Sequence, residues 1–203
     1  MERAFGIPSI ADHYTQIASA IRGTIREKYW DATRGLFADT YDHRSFSQHV
    51  NSLAILAGIV TGEEATRVME RTLNDSSLIQ ATIYFRYYVH QALKVAGMGD
   101  HLLDNLQIWR DQMALGLTTW AEMPEPTRSD CHAWGASPNI EFFRILLGID
   151  SNAPGFKSIR IAPSLGDLKE VSGTMPHPVG SVTASYKLDK KGKLTARLIL
   201  PTG

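Results

Sequence analysis

Residues 118–134 gather the groups best able to do chemistry. In 17 positions they hold Glu122, Glu125, Asp130, Arg128, His132, Trp120 and Trp134, with Pro124 and Pro126 stiffening the passage. Carboxylates accept and deliver protons, and a positioned one is the usual general acid or base at a bond being hydrolysed. Flat indole rings give apolar platforms on which a sugar ring can stack. A solvated loop rarely spends two tryptophans, so the segment reads as a sugar-cleaving site, whole or partial.

Each of these residues also has a plainer job. Glu122, behind Thr118-Thr119-Trp120 in a loop between two helices, is the best catalytic candidate; its bland alternative is a solvated loop acid. Glu125 between two prolines reads as exposed or bonded within the loop. Asp130 precedes the next helix and reads as its N-cap. His132 falls in that helix's first turn, where a packed or capping role competes with a catalytic one. Trp120 and Trp134 are either core residues or sugar platforms. Arg128 either bridges the loop acids or keeps the catalytic carboxylate ionised by lowering its pKa. Tyr84, Phe85, Tyr87 and Tyr88 read as a packing band with one or two rings facing a cavity, and residues 46–51 (Phe-Ser-Gln-His-Val-Asn) either line a pocket or cap a helix.

The elements that must position these groups are mainly helical. Ile10, Tyr14, Ile17, Ile21 and Ile25 recur at helical spacing behind a Ser9–Asp12 start signal. Ser45 and Gln48 open a second helix, Thr61 and Glu64 a third, and Ser77 and Gln80 a fourth that ends at Gly97. Asp100 caps a fifth, through Leu103, Leu106, Trp109 and Met113. A sixth runs over 131–147, with Pro138 kinking it or resetting its start. Short connections make neighbouring helices antiparallel hairpins. Near Pro154 the period changes: residues 157–162, 182–188 and 194–200 alternate apolar and polar, with 190–193 as a hairpin turn. The expected fold is mainly α with a β appendage, divided as 1–153 and 154–203. A sheet of a few strands ending at 203 leaves an edge that other strands would normally cover.

Composition excludes several classes. Lys+Arg and Asp+Glu both number 21, so the net charge is zero and nothing advertises a nucleic-acid partner. One cysteine, Cys131, rules out an internal disulfide and a cysteine-rich metal site. His49, His90, His101 and His132 share no ligand spacing, and neither a phosphate loop nor a nucleophile elbow is present, so no metal or cofactor is expected. The longest apolar run, 53–60, is too short to span a bilayer, and the first residues lack the apolar run of a signal peptide. A soluble chain is expected; its compartment stays open.

Residues 119–122 (Thr-Trp-Ala-Glu) and 129–138 (Ser-Asp-Cys-His-Ala-Trp-Gly-Ala-Ser-Pro) resemble motifs of the α-L-rhamnosidases of glycoside hydrolase family 78, their Thr-x-x-Glu and Ser-x-x-His-Ala-Trp runs. Residues 143–149, 176–181, 29–31, 35–39 and 46–49 continue the likeness over most of the chain. The resemblance implies part of an (α/α)6 toroid of helical hairpins followed by part of a β-sandwich. It implies removal of terminal α-L-rhamnose from a glycoside, oligosaccharide or polysaccharide by an inverting mechanism, in which two carboxyls stand roughly 6.5–9.5 Å apart around a water. Glu122 matches the general base, and His132 a residue near the bound sugar, with Trp120, Trp134 and Arg128 as further substrate contacts. The chain departs from the family in carrying Trp120-Ala121 where many members have an aliphatic residue and then tryptophan.

The sequence predicts only about half the helices of a toroid. The family's Asp-x-x-x-Glu region, which carries the general acid, has no counterpart: Asp12 lies in an amphipathic helix, and Asp31, Asp39 and Asp42 match a different part of the family. The expectation is a piece of a larger enzyme that supplies the base, needs the missing N-terminal half for the acid, and is inactive alone. Two other readings remain: another (α/α)6 glycosidase or a polysaccharide lyase, and a non-catalytic carbohydrate-binding or structural module.

Overall fold

The computed structural model describes residues 1–123 and 126–202. The chain forms two compact units, Met1–Ala81 and Thr82–Gly203.

In the first unit, α1 (Glu2–Phe5) and α2 (Pro8–Tyr29) lead into a two-residue-per-strand hairpin, β1 (Trp30–Asp31) and β2 (Leu36–Phe37), and then α3 (Gln48–Leu56) and α4 (Gly62–Asn74). The expected Ser9 cap is not used. Pro8 occupies the first helical turn, where its missing N–H costs nothing, and Ile7 is the N-cap residue without a side-chain cap. Arg26 of α2 forks onto Glu64 of α4 at 2.9 and 2.5 Å and lies over the Trp30 ring.

The cap of α3 is Ser47, whose hydroxyl accepts from the Val50 N–H, and not Ser45, whose hydroxyl donates to Asp39. Two buried amides of α3 then tie its surroundings together. Asn51 accepts from Phe37 N–H at 2.8 Å and donates to the Phe37 carbonyl, while Gln48 accepts from Ala81 N–H at 2.9 Å and donates to Thr72. These polar residues staple strand and loop backbone that would otherwise be buried unpaired. Beneath them lie Leu36, Phe37, Ile55, Val68 and Met69, each almost fully buried.

The stripe on α2 has a different fate from the one its spacing suggests. Ile10, Tyr14, Ile17 and Ile21 are exposed, and Ala11 is the helix's buried residue. A contiguous apolar face of this kind drives association. Purified chain 1–203 is therefore expected to sediment above its 22.5 kDa monomer mass. The double substitution Ile17→Glu, Ile21→Glu should return it towards the monomer, and a wild-type chain that stays monomeric at tens of micromolar, a range set by ordinary weak association at about −6 kcal/mol, would count against this.

In the second unit, α5 (Arg86–Val95) starts nine residues after the expected Ser77. Residues 75–81 turn and extend instead: the Asp75 carboxylate accepts from Ser77 N–H and hydroxyl, and Ile79 bridges to Ser47. Local side-chain bonding has outcompeted helix there. The fifth predicted helix is also shortened. Two 3-10 turns (Gly99–His101, Asp104–Leu106) precede α6 (Gln107–Ala114), and Asp100 accepts from Gly166 N–H at 2.8 Å rather than capping α6. The sixth breaks into a 3-10 turn (Ala133–Ala136), α7 (Pro138–Glu141) and a π-helical turn (Phe142–Leu146); Pro138 does reset the start, sitting in the first turn of α7. Asp130 is accordingly not an N-cap, since no helix begins beside it.

Strands follow from Ile149, five residues before Pro154. β3 (Ile149–Ser151) pairs antiparallel with β4 (Ile159–Ile161), and β5 (Glu170–His177), β6 (Gly180–Leu188) and β7 (Leu194–Ile199) form an antiparallel meander. Val182, Ala184 and Tyr186 alternate inward from β6 onto Leu147 and Ile149, and the Tyr186 hydroxyl donates to the Leu147 carbonyl at 3.0 Å. Gly148 permits this approach: its φ is 69°, and a Cβ there would stand 2.1 Å from the Ala162 carbonyl carbon. β7 is exposed along its length, so the expected open edge is present. An ionic cluster joins helix to strand, with Asp150 of β3 bound by Lys94 of α5 and by Arg144 at 3.2 Å, and Gln91 donating to the buried Glu141 at 2.6 Å. Among the described residues no helix is long and apolar enough to cross a membrane.

Candidate active site

The loop after α6 doubles back on itself as an irregular ribbon. His132 N–H donates to the Trp120 carbonyl at 2.8 Å, Glu122 N–H to Ser129 at 2.9 Å, and the Thr119 hydroxyl to the Asp130 carbonyl at 2.5 Å. Gln112 of α6, itself buried, accepts from Ala121 N–H at 3.0 Å and so fastens the ribbon to the helix. Residues ten apart in sequence thereby become neighbours, which places Glu122, Arg128 and His132 in one cluster.

Glu122 is its centre. The side chain is 10% exposed, and the Arg128 guanidinium, itself 78% exposed, binds both carboxylate oxygens as a fork. His132 Nε2 stands 3.9 Å from Glu122 Oε1, within charge range but beyond a hydrogen bond. The hydrogen bond and charge of Arg128 hold the Glu122 carboxyl below the usual carboxylate range, against the opposing effect of burial, with His132 adding a smaller pull. The arrangement yields an ionised, nearly enclosed carboxylate: the protonation state a base requires.

The aromatic residues divide. Trp134 packs against His132 at a 45° tilt, ring centroids 4.4 Å apart, and meets Tyr84 edge-on at 5.2 Å. Tyr84, Tyr87, Tyr88, Trp134, Ser137 and Ile140 line a hollow of about 380 Å³. Three rings of the band, Tyr84, Tyr87 and Tyr88, line this hollow, where the sequence suggested one or two. Trp120 packs against Ile83, Leu106, Trp109 and Phe142 and walls a separate, more apolar cavity of about 470 Å³. Gly135 makes room for it, because a Cβ at that position would come within 2.5 Å of the Trp120 Cβ. The Trp109 indole is fixed behind it by an N–H bond to the Gly135 carbonyl at 2.6 Å. Trp120 is therefore not brought to the Glu122 carboxylate as Trp134 is brought to His132.

Glu125 lies outside the described residues. The Asp130 side chain is exposed, and Asp130 serves the ribbon through its backbone carbonyl. Among the described residues no group of three or more His, Cys, Asp and Glu side chains could hold a metal. Sequence reasoning missed Gln112, whose role depends on a loop contact that no local pattern announces, and the Tyr84–Trp134 contact, which joins positions fifty residues apart.

Residues 148–203 match the family model described as the bacterial alpha-L-rhamnosidase C-terminal domain. The chain is rhamnosidase-like. Among solved structures, a rhamnosidase from Klebsiella oxytoca with rhamnose bound shares its fold, with a TM-score of 0.62 at 22% identity over 70% of this chain. The likeness covers 30% of that protein, so the rhamnosidase-like chain spans less than a third of its relative's length. No curated protein matches. Helices followed by small antiparallel sheets, the order found here, agree with a mixed helical and β portion of such a fold.

Proposed function

We propose that this chain is part of a glycoside hydrolase that removes terminal α-L-rhamnose with inversion, and that Glu122 is its general base. The observation that carries the reading is the enclosed, ionised Glu122 beside His132 and the Trp134 ring, in a chain whose C-terminal residues match a rhamnosidase domain. In this reading 1–153 are a portion of an (α/α)6 toroid and 154–203 begin a β-sandwich. Glu122 takes a proton from a water as that water attacks the anomeric carbon, and the bond to the leaving oxygen breaks as a general acid protonates it. That acid comes from residues outside this chain. His132, Trp134 and Arg128 contact the sugar; Trp120 bounds the neighbouring cavity.

The test is the product anomer. An enzyme carrying this chain, given an aryl α-L-rhamnoside and followed by proton NMR, should release β-rhamnose first, before mutarotation. Initial α-rhamnose would overturn inversion. Rhamnose binding without any hydrolysis would favour a carbohydrate-binding module, and cleavage of a different glycoside would favour another glycosidase of similar architecture.

A further inference from the structure

The Glu122–Arg128 pair leaves a general base little open approach for the water it must activate. Both carboxylate oxygens are engaged by one guanidinium, from Nε at 2.5 Å and from Nη2. The carboxylate side chain is 10% exposed, whereas the arginine covering it is 78% exposed. Among the described residues, His132 Nε2 also stands 3.9 Å from Oε1. A base must accept a hydrogen bond from the water it activates, along a lone pair directed at that water. The fork takes two of about four lone-pair sites, and the exposed Arg128 side chain lies over a carboxylate that itself meets little solvent.

The two partners differ in what they would lose by parting. Glu122 is held by its ribbon, through its own N–H to Ser129 and through Ala121 to Gln112. Arg128 belongs to the same ribbon, and its side chain is 78% exposed. An exposed arginine regains water when it leaves, so only the enclosed carboxylate needs a new partner. Vicinal sugar hydroxyls are acceptors of suitable spacing for a planar fork of N–H donors.

We propose that Arg128 is a positioning residue, a clamp that covers the Glu122 carboxylate until the incoming sugar's hydroxyls take over the guanidinium and open a carboxylate oxygen to water. This rests on the assignment of Glu122 as base, and its test separates the two. In the enzyme carrying this chain, Arg128→Ala should raise KM for an aryl α-L-rhamnoside about tenfold, the size of one lost charge-assisted contact, and lower kcat far less. Its acid limb of kcat/KM should move to higher pH, because the carboxylate loses the charge that depresses its pKa. Arg128→Lys should restore part of the limb but little of KM, since an ammonium keeps the charge and loses the fork.

A merely structural arginine would lower kcat and thermal stability and leave the limb in place; that outcome overturns the clamp. Carbon NMR of the Glu122 carboxyl in the wild-type chain gives a readout free of turnover. Added rhamnose should shift that resonance and the Arg128 Nε–H together, and rhamnose that shifts His132 while leaving the pair unchanged also overturns the clamp. Full turnover by Glu122→Gln would instead remove the base assignment itself.

Discussion

Glu122→Gln is expected to lower kcat on an aryl α-L-rhamnoside by about 10³-fold, the middle of the range for a lost general base, with little change in KM. The amide is nearly isosteric and can still accept a bond from Arg128, so the ribbon stays in place. What it cannot do is take a proton from water. A thermal melt close to that of the wild type would show that the loss is chemical. The pH profile supplies a second check. Arg128 depresses the Glu122 pKa, so the carboxylate is ionised through neutrality and activity should fall only as acid protonates it, below the pH at which an ordinary glutamate would. Turnover within a few-fold of wild type would mean that the base lies elsewhere.

Acidification is expected to destabilise the fold through His90 by about 3 kcal/mol between pH 7 and pH 4, from a shift of about 2.5 pKa units at about 1.36 kcal/mol each. His90 is fully buried on α5, with its ring 5.6 Å from that of Trp109. Burial, with help from the nearby Arg86 charge, lowers its pKa from 6.5 to about 4. The folded state therefore holds the neutral ring, while the unfolded chain takes up a proton as pH drops through its ordinary value. Stability is fully present above that value, declines as pH falls, and levels off below the folded pKa. Urea denaturation at a series of pH values reads the slope directly. His90→Leu puts an apolar side chain of comparable size in its place and removes the titration, so its slope over this window should flatten. An unchanged slope would assign the acid sensitivity to carboxylates held ionised by partners, with Asp150, bound by Lys94 and Arg144, the first to consider.

How far the sequence was legible depended on whether a signal was local. Helix-forming periodicity was correct for α2, α3, α4 and the core of α5, because the spacing of residues along one helix is a local property. Start signals failed where a polar side chain found another partner, nearby for Ser45 with Asp39 and for Ser77 with Asp75, distant for Asp100 with Gly166. β5 escaped notice because Gly173 and Pro176 dilute its strand character, yet pairing with β6 over eight positions secures it.

By itself the sequence determined which residues could do chemistry, the order of helices before strands, and the rhamnosidase-like motifs around Glu122 and His132. Those properties follow from residue type and spacing along one chain. The tertiary structure decided which candidates meet. It folded the loop back so that Arg128 closes on Glu122, carried Tyr84 to Trp134, and turned Trp120 into a different cavity. It also left the Ile10–Ile21 stripe of α2 in solvent, although periodicity marks it for burial. Periodicity states that a face is apolar; only the arrangement of other elements says what, if anything, covers it.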